Sequence, residues 1–131
     1  MLNLSHKNLD VYKLSLKLIE EVYIATKKFP KEELYVLVSQ IRRAAISVCS
    51  NIAEGASSIS KKEKKRFYEI SRSSLVEMDT QFEIMIILTY YKNGQMKEME
   101  QYLESTFRML SKMISNLSQP LLPTSQTPLA K

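Results

Sequence analysis

The chain has 131 residues, one cysteine and a formal net charge of +5, with 19 Lys and Arg against 14 Asp and Glu. Such a length fits one domain with a genuine core, and one cysteine excludes an intramolecular disulfide and fits a reducing compartment. No run of about 18 apolar residues exists to form a transmembrane helix, and MLNLSHKNLD lacks a signal-peptide core, so a cytoplasmic protein is expected.

Only two Gly and four Pro occur, and three of the Pro lie in the last dozen residues. The long middle is therefore almost free of helix breakers, which predicts an all-α chain. After a short polar lead over 1–8, in which Asn8 is placed to cap, a first helix is expected over about 9–28. Tyr12, Leu16, Ile19, Tyr23 and Thr26 form one line of it, and Val11, Leu18, Val22, Ala25 and Phe29 the next. Phe29-Pro30 breaks that helix, because the residue before proline is pushed out of the α region.

A second helix is expected over 31–55, and its later part, QIRRAAISVCSNIAEG (40–55), has two unlike faces. Ile41, Ala45, Val48 and Ile52 recur at the helical period, flanked by the small residues Ala44, Cys49 and Ala53, so a neighbouring helix can approach closely. Arg43, Ser47, Asn51 and Glu54 form a polar line suited to hydrogen bonding with a partner helix, and Gly55 is placed to end the helix.

Ser60 with Glu63 makes a capping-box pattern, which opens a third helix over 60–92. Its first half is basic, with Lys61, Lys62, Lys64, Lys65, Arg66 and Arg72; its second half is apolar and acidic and runs into IMIILTYY. Asn93-Gly94 reads as its C-terminal stop. A fourth helix is expected over 96–116, striped by Met99, Leu103, Phe107 or Thr106, Leu110, and Ile114 or Met113. The remainder, 118–131, has three Pro and no periodicity and reads as a flexible tail. Four amphipathic segments with short connections predict an antiparallel up-down-up-down four-helix bundle over 1–117.

The segments FPKEELY (29–35), QIRRAAISVCSNIAEG (40–55) and KKRFYEISRSSLVE (64–77) resemble the small bacterial four helix bundle proteins, also called 23S rRNA intervening-sequence proteins. The opening NLDVYKLSLKL is similar to that family's usual first helix. The resemblance covers about residues 8–116. It implies a four-helix bundle, a homo-oligomeric ring, commonly a pentamer, and a basic surface for nucleic acid. A related branch serves diversity-generating retroelements as an accessory protein that binds a reverse transcriptase. Arg42, Arg43, Asn51, Glu54 and Gly55 match the family's second-helix motif, and Phe67, Ser74, Leu75 and Glu77 its third-helix motif. The chain departs from the family at Cys49, where Pro is common, at Ser73, where Gly is common, and at Ala56-Ser57, where a Gly-Arg-like pair often stands.

The basic run Lys61–Arg66 is the strongest functional signal. Lysines at a helix N-terminus oppose the helix dipole, so local stability does not explain them, whereas a phosphate backbone does. Lys61, Lys62, Lys65, Arg66 and Arg72, extended by Arg42 or Arg43, are the expected nucleic-acid contacts, with RNA preferred. Arg43, Asn51, Glu54 and Glu77 are expected to form a structural polar network, inside the bundle or between subunits. No enzyme is expected. His6 is the only histidine, lies in the lead and has no metal-spaced partner; Cys49 reads as a buried thiol; no Glu-x-x-His pair offers a di-iron site; no cofactor or metal is expected. Tyr90, Tyr91, Tyr102 and Phe107 read as core or subunit contacts in preference to base-stacking groups. The competing function is a protein adaptor, docking a partner such as a reverse transcriptase through Met96, Met99 and Leu103.

Overall fold

A computed structural model describes residues 1–92 and 94–118. Four α-helices follow one another: α1 Asp10–Thr26, α2 Ser39–Ser57, α3 Lys61–Ile87 and α4 Lys97–Ser118, with no strand among the described residues. Contacts join α1 to α2, α2 to α3, α3 to α4 and α4 back to α1, so each helix has two neighbours. Polar contacts fix the directions. Arg42 at the start of α2 reaches Thr26 at the end of α1, Lys64 at the start of α3 reaches the end of α2, and Arg72 in the first half of α3 reaches Ser111 near the end of α4. The bundle is all-α and antiparallel, as its pattern predicts.

The stripe read from α2 is the centre of the core. Ile41, Ala45, Val48 and Ile52 are wholly buried, with Leu18 and Val22 of α1, Leu75, Met78 and Met85 of α3, and Leu110 of α4 around them. Fully burying such a side chain stabilises by roughly 1.5–3 kcal/mol. Five Ser and Thr residues share this interior; Ser74 bonds a hydroxyl of α2, and the other four are Ser15, Thr26, Ser71 and Thr106. Each of these four has a backbone partner. Ser15 donates to the Tyr12 carbonyl at 2.6 Å, Thr26 to that of Val22 at 2.8 Å, Thr106 to that of Tyr102 at 2.6 Å, and Ser71 across the seam to that of Val48 at 2.8 Å. A hydroxyl satisfied in this way no longer needs water, and the residue packs as a small core group. For this reason Thr106, not Phe107, holds the inward position in α4, and Ser15 faces inward while Leu16 is exposed.

The closest seam is between α2 and α3. Gly55 was expected to stop the second helix, but α2 continues to Ser57 and Gly55 is buried within its last turns. Its task is proximity. A Cβ built on Gly55 would lie 2.6 Å from Cε1 of Tyr68, so the Tyr68 ring rests on bare backbone. Lys64 closes the seam by donating to the carbonyls of Gly55 and Ala56 at 3.3 and 3.0 Å, which satisfies the orphan acceptors at the end of α2.

Other element ends also differ from expectation. Pro30 is extended, with ψ 151°, and the chain after it forms a 3-10 turn over Lys31–Glu33 and a π-helical turn over Leu34–Val38 before α2 begins. The wider π turn sends Leu37 and Val38 into the core and leaves Leu34, Tyr35 and Val36 exposed. Asn8 makes no side-chain cap; it ends a 3-10 turn over Ser5–Asn8. That turn buries His6 edge-on against Tyr12, with ring centroids 4.8 Å apart, so the histidine does not lie in a loose lead. α3 ends at Ile87, well before Asn93-Gly94. Thr89, with φ of 64°, makes the left-handed turn; its N–H donates to the Ile86 carbonyl at 3.0 Å, and the Tyr90 N–H donates to that of Met85 at 2.9 Å. These two bonds are the Schellman pair that ends many helices. The segment 119–131, read as a tail, lies outside the described residues.

Two substitutions should move stability in opposite directions. Gly55→Ala forces the Tyr68 ring off the seam and should cost about 1–3 kcal/mol despite alanine's better helix propensity. Thr89→Gly relieves a β-branched residue held in the left-handed region and should gain a few tenths to about 1 kcal/mol. Chemical denaturation of the two variants checks both signs.

Candidate nucleic-acid interface

The basic run occupies the first turns of α3. Ser60 caps it by accepting from the Glu63 N–H at 3.0 Å, which is the first half of the expected capping box. The Glu63 carboxylate does not return to the cap; it turns outward to Arg66 at 3.1 Å. This is the one side-chain ion pair among the described residues, and both partners are about half exposed. Such a pair contributes little to stability, so it leaves the basic character of the turn in place.

The seven expected contacts divide. Lys61, Lys62, Lys65 and Arg66 project together from the first two turns of α3, Lys61, Lys62 and Arg66 exposed and Lys65 half-buried. Arg66 also lies over the Phe67 ring, 4.4 Å from its centroid. Arg72 turns toward α4 and donates to the Ser111 hydroxyl at 3.3 Å. Arg42 is engaged inside the bundle: it donates to the Thr26 hydroxyl at 2.9 Å and lies over Tyr23, 4.3 Å from the ring centroid. Arg43 is exposed, but it stands twelve or more residues before the end of α2, roughly 18–20 Å along the helix from the lysines. The arginines of α2 therefore do not extend the patch.

The antiparallel order adds cations that a reading along the chain does not collect. Lys13 in the second turn of α1 and Arg108 and Lys112 near the end of α4 lie toward the same end of the bundle as Lys61 and Lys62, and all three are exposed. The opposite half gathers Asp79, Glu83, Glu98, Glu100 and Glu104, interspersed with Lys27, Lys28, Lys31, Lys92 and Lys97. The bundle is thus electrically polarised along its axis.

The polar line of α2 does not assemble into the expected network within one chain. Asn51 donates to the carbonyl and hydroxyl oxygens of Ser47 at 2.8 and 3.1 Å, and Ser74 donates to the Ser47 hydroxyl at 3.0 Å. Arg43 and Glu54 lie eleven residues apart, roughly 16 Å along one helix, beyond reach of each other. Glu77 is exposed and meets Gln81 of its own helix at 3.5 Å. The seam keeps the short polar groups, and the charged ones point out.

Cys49 is buried, and the described residues contain no group of three His, Cys, Asp or Glu placed to hold a metal ion. Burial, and then the adjacent Cys49 thiol, raise the Tyr12 phenol above its ordinary value. Tyr90 and Tyr91 pack with Phe29 at centroid distances of 4.9 and 5.3 Å, and their hydroxyls donate to Glu33 at 2.6 Å and to the Ala25 carbonyl. They tie the α3–α4 connection to the far end of α1. Met99 and Leu103, expected on an adaptor surface, are buried in the core, as are Met78 and Met85. The exposed large apolar residues of α3 and α4 are instead Ile70, Val76, Ile84, Ile87 and Phe107.

These features define an antiparallel four-helix bundle with a basic end. The sequence model of the 23S rRNA-intervening sequence protein family matches residues 7–112, and the chain belongs to that family. No curated protein matches it. A crystal structure of a protein of unknown function from the S23 ribosomal protein family of Bacteroides thetaiotaomicron has the same fold. Its TM-score is 0.71 at 20% identity, over 80% of this chain and 95% of that one.

Burial raises the Tyr91 phenol to about 12, against an ordinary value near 10. The fold favours the neutral phenol, so its contribution is complete below pH 10 and is lost as pH rises through about 12. Tyr12, Tyr68 and Tyr90 shift in the same direction. Denaturation between pH 9 and 12 should show falling stability, with a shallower fall in Tyr91→Phe, whose baseline is lower by about 1 kcal/mol for the lost hydrogen bond.

Proposed function

We propose that this protein is a non-enzymatic, cytoplasmic, oligomeric scaffold that binds nucleic acid, RNA in preference to DNA, through the basic end of the bundle. The observation that carries this reading is the cluster Lys61, Lys62, Lys65 and Arg66 at the start of α3, where the one acid of the first turn is already paired with Arg66. Each lysine there opposes the helix dipole, so folding alone gives no reason for the cluster. Phosphates supply one, since every neutralised phosphate releases counterions. A ring, pentameric as the family resemblance implies, would present several copies of the basic end on one side and sum a modest single-chain attraction.

The second reading is an adaptor for a protein such as a reverse transcriptase. It is favoured by the exposed apolar side chains Val76, Ile87 and Phe107. It predicts binding that depends on those residues and responds weakly to salt.

The test is affinity for a short structured RNA across a salt series. Log affinity should fall linearly with log salt, with a slope of roughly −0.7 to −0.9 per phosphate contacted. Changing Lys61, Lys62, Lys65 and Arg66 to Glu should flatten the slope by about 3 and remove most binding at low salt. Affinity no better than that of an unrelated protein of equal charge would overturn the proposal.

A further inference from the structure

The loop between α2 and α3 carries an apolar side chain at the basic end of the bundle. Ile59 is 99% exposed, and among the described residues only Met1, of the large apolar side chains, is more so. Its place in the sequence has an ordinary structural use. It directly precedes the Ser60 cap, where an apolar residue commonly packs on the N4 residue and fixes the angle of entry into the helix. The N4 residue here is Lys64, whose ammonium is turned back to the Gly55 and Ala56 carbonyls, and Ile59 packs on nothing. Folding therefore gives no account of the isoleucine.

Both neighbours of Ile59 are pinned. On one side the Ser58 hydroxyl donates to the Glu54 carbonyl at 2.8 Å, and the Ser58 N–H to that of Gly55 at 3.1 Å. On the other, the Ser60 hydroxyl accepts from the Glu63 N–H at 3.0 Å. Ser58 and Ser60 are both extended, with ψ 145° and 146°. An apolar tip held in this way loses little freedom when a partner meets it. Lys61 and Lys62 follow directly and are exposed, with Cα atoms no more than about 11 Å from that of Ile59.

We infer that Ile59 is a wedge that enters the base stack of a bound RNA where the stack is already interrupted, at a bulge or a helix junction, while Lys61, Lys62 and Lys65 hold the phosphates around it. The inference rests on the nucleic-acid part of the proposed function and deepens it by naming the class of target. Aliphatic wedges between base steps, set beside Lys and Arg, are a recurrent device of nucleic-acid-binding proteins. The chemistry of the side chain selects the class. Isoleucine has no π face, so it suits a gap between base pairs better than a splayed single strand, whose bases stack on aromatic rings. The nearby rings are engaged: Arg66 lies over Phe67, and Tyr68 is packed on Gly55. Opening an intact stack is costly, and least so where a base is already unpaired. A bilayer is the other apolar medium found beside anionic groups. One aliphatic side chain between serines is too little for it, since even a single acyl chain binds membranes only marginally.

The test compares a short RNA duplex containing an unpaired nucleotide with the same duplex lacking it, each carrying a fluorescent adenine analogue that brightens on unstacking. The wild type should prefer the bulged duplex and brighten it. Ile59→Ser should bind that duplex about tenfold or more weakly, the effect of leaving one aliphatic side chain's contact unmade. It should also lose the preference and the brightening, with the salt slope unchanged, because no phosphate contact is removed. Ile59→Leu should restore both. The side chain packs on nothing, so both variants should fold, which circular dichroism checks. A wild type that binds neither duplex would overturn the nucleic-acid reading and this inference with it. Salt-dependent binding in which Ile59→Ser matches the wild type in preference and brightening would overturn the wedge and leave the nucleic-acid reading standing. So would cosedimentation with vesicles of phosphatidylserine and phosphatidylcholine that Ile59→Ser abolishes while its RNA binding is kept, an outcome that gives the tip to a membrane.

Discussion

The close approach of α2 and α3 is the constraint on which the rest of the molecule depends. Tyr68 can lie on the backbone of α2 only because position 55 has no side chain. Once the backbones are that near, a hydroxyl on one helix reaches a carbonyl or hydroxyl on the other, as Ser71 does to Val48 and Ser74 to Ser47. Longer polar groups do not fit between them. This sorts the polar line of α2: Ser47 and Asn51 stay within the seam, and Arg43 and Glu54 are excluded from it. The same closeness brings Lys64 against the last carbonyls of α2, where a cation complements the negative end of the dipole. One lysine of the basic run is thereby explained by the fold, and its neighbours are not.

Topology then does with charge what it does with apolar residues. In an antiparallel bundle the start of α3 shares its end with the close of α4 and the start of α1, so cations far apart in sequence sum at one end, while acids of late α3 and early α4 collect toward the other. Charges further apart than a Debye length, roughly 8 Å at physiological salt, hardly feel one another in water. A polyanion that touches several at once still gathers their contributions, which is why a modest net charge is a poor guide to what such an end can bind.

The elements were legible in the sequence wherever burial follows a helical period: Ile41, Ala45, Val48 and Ile52 were readable as a core stripe, and Ser60 as a cap. Less legible were positions where a local bond overrides the residue's usual preference. Thr106 and Ser15 look polar and are core, because each hydroxyl is satisfied by its own helix. Thr89 looks like part of a strand-prone run and turns the chain, a task that propensity would give to the glycine at 94. The π turn left no signal, since LYVLV reads as buried whichever way it winds. As for the candidate site, the lysines of α3 were visible as a run. That Arg42 is consumed by Tyr23 and Thr26, and that Arg43 stands apart from the lysines, follows only from the register of α2 against its neighbours.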